Sequence, residues 1–477
     1  MPANERRPSR RQLLQTFGAL GAVATLESNA AADASPAPAA AGFREELARK
    51  IEHTTFADTH EHLPDESERL RGEGVPSDDW ASLLSHYIDS DLVTAGMPEA
   101  DLARMKSHKV EPLAKWPLVA PYWPAVRHTG YGQMVRITLR ELYGIDDLNE
   151  KTVPQLQKAY EAVRKPGFYK KILADMCRIE SCQVNGSGTF KRSQQPTFLL
   201  QDIAMVGMHI GPNIKAFSDP AGKTVNDLAD WHAVIDWWFD TYGSYAVAVK
   251  NSAAYFRGLD YERVTAEQVE AVFKKTLQRD PVSPDEKKAL EDHLFWYAVD
   301  QATTHDLPVK LHTGYYYGHN KSPAMPLGRL AGNPAEATEL CRKGPNTQFV
   351  FMHIAYPYWQ ALIAATKHYT NAHIDMCWAA IMDPLATVQF LKSALTTLPS
   401  NKLFVFGGDL IPVECVVGHA HIARKGLGQA LAELVDEGWL GRNDALELVE
   451  PLMHGNARRF FRLAKKIETL KTAPWAK

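Results

Sequence analysis

From residue 50 onward the chain sets down eight short apolar runs rich in valine, isoleucine and phenylalanine, and most are followed by a longer stretch of helical period. The runs are 56–63, 174–184, 197–206, 245–250, 308–312, 348–353, 372–376 and 402–406. Strand followed by helix, repeated eight times, predicts an α/β fold: a parallel sheet closed into a (β/α)8 barrel of the TIM type. The first gap, 64–173, is far longer than one crossover needs and carries helix-like text at 153–162. It reads as a large helical insertion after strand 1. A second long connection, 260–306, is amphipathic at 266–277 and 285–301, and the tail at 427–436, 444–452 and 455–461 reads as closing helices.

The composition supplies what such a barrel needs. With 45% hydrophobic residues, eleven Trp, eighteen Phe and seventeen Tyr in 477 residues, the chain can bury a full core, which excludes a disordered protein. Fifty-three basic against fifty-six acidic residues leave a net charge of −3. That balance gives no field for nucleic acid or anionic lipid, so the expected partner is a small molecule, with self-association left open.

The first forty-one residues are set apart. Ser9-Arg10-Arg11-Gln12-Leu13-Leu14, an uncharged stretch over 16–26 and then Ser28-Asn29-Ala30 resemble a twin-arginine export signal with a small-residue cleavage site. The apolar run is about half of the roughly 20 residues that span a bilayer, so no permanent membrane anchor is expected. An Ala/Pro-rich lead over 31–41 follows, and 42–477 is the expected barrel, exported to the periplasm or beyond. Five cysteines, an odd number, argue against a disulfide framework. Cys177 and Cys182 are about 16 Å apart along an extended strand, so they are expected as buried thiols.

The chemistry lies at the ends of the runs. His60-Glu61-His62 closes the first, where side chains two apart share a face and both imidazoles can reach one cation. Chance alone supplies roughly one such pair in a chain of this histidine content, so the spacing by itself is weak. A second pair, His419-Ala420-His421, reads as a helix start with surface histidines. The order of the remaining residues strengthens the first pair. Lys250 ends the fourth run, His312 the fifth and His353 the sixth, and Asp409 follows the eighth in Phe404-Val405-Phe406-Gly407-Gly408-Asp409. In a barrel these ends meet at one mouth. Several neutral imidazoles with a carboxylate form a ligand set for zinc or a similar divalent cation, with Mn or Fe as alternatives.

Together, Asp58-Thr59-His60-Glu61-His62, Lys250, His312, His353 and Asp409 resemble the amidohydrolase superfamily over about residues 50–465, and the tail Gly455-Asn456-Ala457-Arg458-Arg459-Phe460 resembles its amidohydrolase-related branch. Looser likenesses are the large insertion, similar to uronate isomerases, and 249–259, similar to barrels linked to glutamine-synthetase-like domains. The resemblance implies His60 and His62 on one ion, His312 and His353 on a second, a carbamylated Lys250 bridging them, and Asp409 at the shared water. Read from the residues alone, Lys250 could instead snorkel or pair with an acid, leaving one ion held by His60, His62, His312 and Asp409. Asp409 could equally be a helix N-cap.

The activity so implied is hydrolysis of an amide, ester or lactone of a small, carboxylate-bearing substrate by metal-activated hydroxide, with Asp409 shuttling the proton. Related barrels decarboxylate aromatic acids or isomerise sugar acids, so a decarboxylase or a uronate-isomerase-like enzyme is the alternative. Arg257 is the candidate fork for a substrate carboxylate. Tyr255, Trp378 and Tyr315-Tyr316-Tyr317 are candidate pocket walls, and His319 is a candidate proton donor if its loop folds inward. Arg178 and Glu180 are expected as a pair inside the barrel.

Overall fold

The computed structural model describes residues 38–186, 190–319 and 324–476. The chain divides into two compact units, 1–43 and 44–477. Of the first, only the opening of the helix Pro38–His53 is described; the expected export signal lies outside the described residues.

Among its described residues the second unit carries nine strands: β1 Phe56–Glu61, β2 Ile179–Val184, β3 Leu199–Gln201, β4 Ile203–Ala204, β5 Val249–Asn251, β6 Val309–Leu311, β7 Phe349–Met352, β8 Ala372–Asp375 and β9 Leu403–Phe404. All neighbours pair in parallel, in the orders β1-β2-β3 and β4-β5-β6-β7-β8-β9. Each expected run therefore holds a strand, and the third holds two. The break falls at Asp202, whose N–H donates to Val184 O at 3.1 Å while the next residue, Ile203, donates to Ala248 O at 3.0 Å, so the chain changes partner there. At the other edge Thr59 donates to Phe406 O at 3.1 Å, which ties β1 to the segment after β9. The ring of strands is the α/β barrel of TIM type. Every strand position but Glu180 is buried, which is why the runs read as apolar rather than alternating.

Two expectations are corrected. The run 174–184 begins as a π-helical turn, Lys170–Met176, and only its second half is strand. Arg178 and Glu180 do not pair inside the barrel: Arg178 is exposed, and Glu180 binds Arg458 and the Thr55 hydroxyl. Both sit at the start of β2, the end of the barrel away from the mouth.

The segment between β1 and β2 is helical and grips the far side of the ring at two points. Arg69, from the short helix Glu66–Leu70, is fully buried and donates to both carboxylate oxygens of Glu414, at 2.8 and 3.3 Å. Tyr87 donates its hydroxyl to the backbone oxygen of Asp409 at 2.6 Å. At the opposite end, Phe461, Leu463 and Leu470 of the C-terminal helices pack with Ala57, Leu200, Val247, Val350 and Phe404 and close the barrel. All five cysteines are buried and unpaired. Among the described residues no helix is long and apolar enough to cross a membrane.

Candidate metal centre

His60 lies in β1 and His62 one residue past its end, so the alternation of the strand turns both rings to one side, 4.8 Å apart. Asp409 reaches them from the segment after β9, which lies directly beside β1. Its N–H donates to His60 O at 2.8 Å, the Leu410 N–H to Glu61 Oε2 at 2.8 Å, and the His62 N–H to Leu410 O at 3.1 Å. The segment 407–410 thus lies against β1 as a strand would, and two glycines permit it. A Cβ on Gly408 would stand 1.8 Å from Glu61 Oε1, and one on Gly407 would stand 3.0 Å from both Cys377 Sγ and Thr59 Oγ1.

The result is a carboxylate surrounded by imidazoles. Asp409 Oδ1 is 3.2 Å from His60 Nε2 and 3.1 Å from His62 Nε2, and Oδ2 is 3.8 Å from His353 Nδ1. His312 lies beside His353 with ring centres 4.5 Å apart and planes tilted by 56°. Lys250 is buried, with Nζ 3.1 Å from Met352 Sδ. Of this group only His62 reaches solvent appreciably, at 36% side-chain exposure, so the centre opens past that ring.

Hydrogen bonds fix which nitrogens face inward. His62 Nδ1 donates to Asn185 O at 2.8 Å, which turns Nε2 toward a carboxylate oxygen 3.1 Å away. A ring nitrogen and a carboxylate oxygen at this distance hold a proton or a cation between them. His312 Nε2 donates to Tyr315 O at 2.9 Å and frees Nδ1 in the same way. Among the described residues, neither ring nitrogen of His60, nor Nδ1 of His353, has a group aligned for a hydrogen bond, although both residues are buried. Unsatisfied polar atoms are rare in cores, and here they converge.

The protonation states suit the same reading. Burial holds His60 well below the ordinary imidazole range, and the nearby Lys250 ammonium pushes the same way. Burial and then His312 lower His353, and burial brings His312 down to about 3. Burial alone would raise Asp409, but His60, His62 and His353 facing it carry its carboxyl well below the carboxylate range. Burial also lowers the Lys250 ammonium. His60, His312 and His353, all disfavoured as imidazolium, beside an ionised carboxylate form a donor set that a divalent cation takes, and the residues fit one.

Backbone strain collects at the same mouth. His353, Ile354, Ala355, Cys377 and Asp409, which follow β7, β8 and β9, all have φ between 41 and 59°. Non-glycine residues adopt this region seldom, and its concentration marks a functional rim.

The other expected residues divide. Tyr255 stands with its ring 4.5 Å from His312 and accepts a hydrogen bond from Tyr317 N at 3.1 Å. Trp378 is 5.6 Å from His353 and forms one stack with Tyr87 and Tyr131, at 4.6 and 5.3 Å between successive rings. Arg257 is a correction. Its guanidinium is committed to Asp292 at 2.6 Å and Glu291 at 3.2 Å and lies over the Tyr261 ring, so carboxylates of its own fold already occupy the fork. His319 is half-buried beside residues 320–323, which lie outside those described.

Sequence reasoning missed three participants. Cys377 stands with His353 and Asp409, their ligand atoms all within 4.8 Å of one another. His419, read as a surface residue, is buried and holds Gly408 O at 3.0 Å through Nδ1, whereas His421 is exposed. The signal was present: 416, 419, 420, 423 and 427 form one buried stripe of the helix Val416–Asp436. Tyr87 carried no such signal, because the insertion has no period that marks which residue turns inward.

A family model described as amidohydrolase matches residues 200–463, which begins beyond the His-x-His pair. Protein fluG of Emericella nidulans is 24% identical over 229 residues, 46% of this chain, and the chain spans about a quarter (26%) of the length of that relative. Among solved structures, a uronate isomerase from Thermotoga maritima superposes with a TM-score of 0.71 at 14% identity, covering 88% of this chain and 97% of its own. Glucuronate isomerase from Caulobacter crescentus gives 0.71 at 15% identity, with 93% and 97% covered. A candidate metal-dependent hydrolase from Lactobacillus casei gives 0.57 at 13% identity, with 88% and 98% covered. At these identities the structures establish a shared fold.

Proposed function

The chain belongs to the amidohydrolase family, and from that premise we propose that this enzyme hydrolyses an amide, ester or lactone bond of a small substrate at a divalent metal centre built on His60, His62, His312, His353 and Asp409. The observation that carries the proposal is the convergence of His60, His62 and His353 on the two oxygens of Asp409, at 3.1 to 3.8 Å. Zinc is the proposed ion, and Mn or Fe would suit the same nitrogen and oxygen donors.

When bound, such a cation lowers the pKa of a coordinated water from about 16 toward about 7 and polarises a substrate carbonyl. The protein supplies the remainder. Asp409, ionised at neutral pH, accepts a proton at its carboxylate as the carbonyl is attacked and returns it to the leaving group, a transfer worth roughly 10²–10⁴-fold. Asn185 and Tyr315 hold the His62 and His312 rings with their free nitrogens inward. Lys250, with its ammonium destabilised by burial, is the residue proposed to react with carbon dioxide as a neutral amine, losing one proton and becoming an anionic carbamate that would add oxygen donors to the centre. The Tyr87–Trp378 stack excludes water beside His353. With Arg257 committed elsewhere, no residue here is assigned to a substrate carboxylate.

A second reading, aldose–ketose isomerisation of a sugar acid, is supported by the uronate isomerase structures, whose match covers 88–93% of this chain and so extends into the helical insertion. One experiment separates the readings. The purified protein, as isolated and after exhaustive chelation, is assayed against N-acyl amino acids, lactones, uronates and aromatic carboxylates. Chelator-sensitive turnover of the first two supports hydrolysis, and turnover of uronates alone replaces it with isomerisation. Activity unchanged by complete metal removal overturns both. Export by the twin-arginine route, with 1–41 as signal and lead, is proposed and is tested by the N-terminus and compartment of the mature protein.

A further inference from the structure

Around Asp409 the donors fall into two sets. Oδ1 faces His60 and His62, at 3.2 and 3.1 Å, whereas Oδ2 faces His353, at 3.8 Å. Beside His353 stands Cys377, fully buried, and the ligand atoms of His353, Cys377 and Asp409 lie within 4.8 Å of one another. Among the described residues these two triads, sharing one carboxylate, are the groups able to hold an ion.

Several features mark Cys377 as more than packing. It follows β8 with φ 41°, a conformation that costs free energy for any residue with a β-carbon, and its N–H is held by Asp375 Oδ1 at 3.0 Å. Gly407 leaves the space against its sulfur open, since a Cβ there would stand 3.0 Å from Sγ. The neighbouring His353 Nδ1 is buried and lacks any hydrogen-bond partner, and it faces the same point. A buried nitrogen lone pair, a thiol and a carboxylate oxygen around one position make a cation site with a soft ligand.

We propose that Cys377 is a metal ligand: with His353 and Oδ2 of Asp409 it binds a second, thiophilic divalent ion of the zinc, cobalt or cadmium class, adjacent to the ion held by His60 and His62. Binding releases the thiol proton to solvent and forms a metal–thiolate bond, with no change of oxidation state. The thiolate supplies anionic charge at this position and biases the second site against Mg²⁺, Ca²⁺ and Mn²⁺. The inference rests on the metal-centre reading above and deepens it.

The test uses full-length protein stripped of metal and kept in a non-thiol reductant. Titration with Co²⁺ should bind two equivalents, the weaker one raising a sulfur-to-cobalt charge-transfer band in the near ultraviolet. In Cys377→Ser the band should vanish and the second equivalent weaken at least about 100-fold, since loss of even outer partners of metal ligands costs about 10–100-fold. The first equivalent should be retained, and Cys341→Ser should keep the band. Should Cys377→Ser not fold, X-ray absorption of the zinc-loaded wild type decides, with sulfur expected at about 2.3 Å from zinc. Two equivalents bound through nitrogen and oxygen alone, or a band that survives Cys377→Ser, overturns the assignment while leaving the metal centre standing. Failure of the wild type to bind any ion overturns the metal-centre reading and this assignment with it.

Discussion

Glu61 Oε1 occupies the space that a side chain on Gly408 would take, 1.8 Å from where its Cβ would lie. The two residues belong to the two edges that must meet, one inside the His-x-His pair and the other immediately before Asp409. Glu61 Oε2 also accepts the Leu410 N–H, and Asp58 Oδ1 accepts the His60 and Gly408 N–H groups, at 3.0 and 3.3 Å. The histidines and the carboxylate are therefore registered against each other by backbone contact rather than by side-chain reach.

Replacing Gly408 by Ala should displace Asp409 without touching any donor. A shift of about 1 Å at a reacting group can cost on the order of 10²-fold in rate. The expected variant is folded, still binds one ion at His60 and His62, and has kcat reduced about 100-fold. Wild-type kcat with unchanged melting would mean the close approach is not needed.

Asp409→Asn separates holding from proton transfer. The amide oxygen still coordinates weakly and His60 and His62 remain, so metal content should stay largely intact, whereas an amide cannot accept the proton. Turnover should fall roughly 10²–10⁴-fold. Elemental analysis beside steady-state kinetics checks both halves.

The fold was legible because both faces of a parallel barrel strand are covered, so the strands read as apolar runs that sequence alone can count. The residues proposed as ligands at strand ends, His60, His62, Lys250, His312 and His353, could be placed at the mouth for the same reason: their position in the run gives their position in space. What failed were side chains fixed by partners distant in sequence. Arg257 looked free because Glu291 and Asp292 lie 34 and 35 residues away, on a later helix. Cys377 looked like another buried thiol, since nothing in Met376-Cys377-Trp378 reveals that β7 will deliver His353 alongside it. Tyr87 sits in an insertion without a period to mark it.

Arg257→Met should therefore lower stability and leave substrate binding alone. The guanidinium is mostly buried between Asp292 and Glu291, with side-chain exposures of 12, 2 and 7%. Its loss leaves Asp292 and Glu291 only the more exposed Lys288 and Lys287, at 2.7 and 3.8 Å, and removes their buried partner, on the order of 3 kcal/mol. Urea unfolding should show the loss, with KM for any substrate found essentially unchanged. A raised KM at wild-type stability would restore Arg257 to the substrate.

The last prediction concerns a histidine apart from the proposed ligands. His209 is buried, with its ring 5.7 Å from that of Tyr261 and 5.6 Å from that of Phe295, and burial brings its pKa down to about 3. An unfolded histidine titrates near 6.5, so between about pH 6.5 and pH 3 the unfolded chain binds a proton that the folded protein refuses. The His209 contribution to stability therefore falls as pH drops through that window. From pH 7 to pH 5 its share is about 2 kcal/mol, given 1.36 kcal/mol per pKa unit. The raised acids Asp58 and Asp375, both about 7, work in the opposite direction over the same window, so the total slope does not isolate one group. His209→Phe does, because it removes the titration and keeps an aromatic ring against the same neighbours. The wild-type-minus-variant stability in urea, with metal removed, should become less favourable to the wild type by about 2 kcal/mol between pH 7 and pH 5. A difference independent of pH would show that His209 takes up a proton in the folded protein as readily as in the unfolded chain.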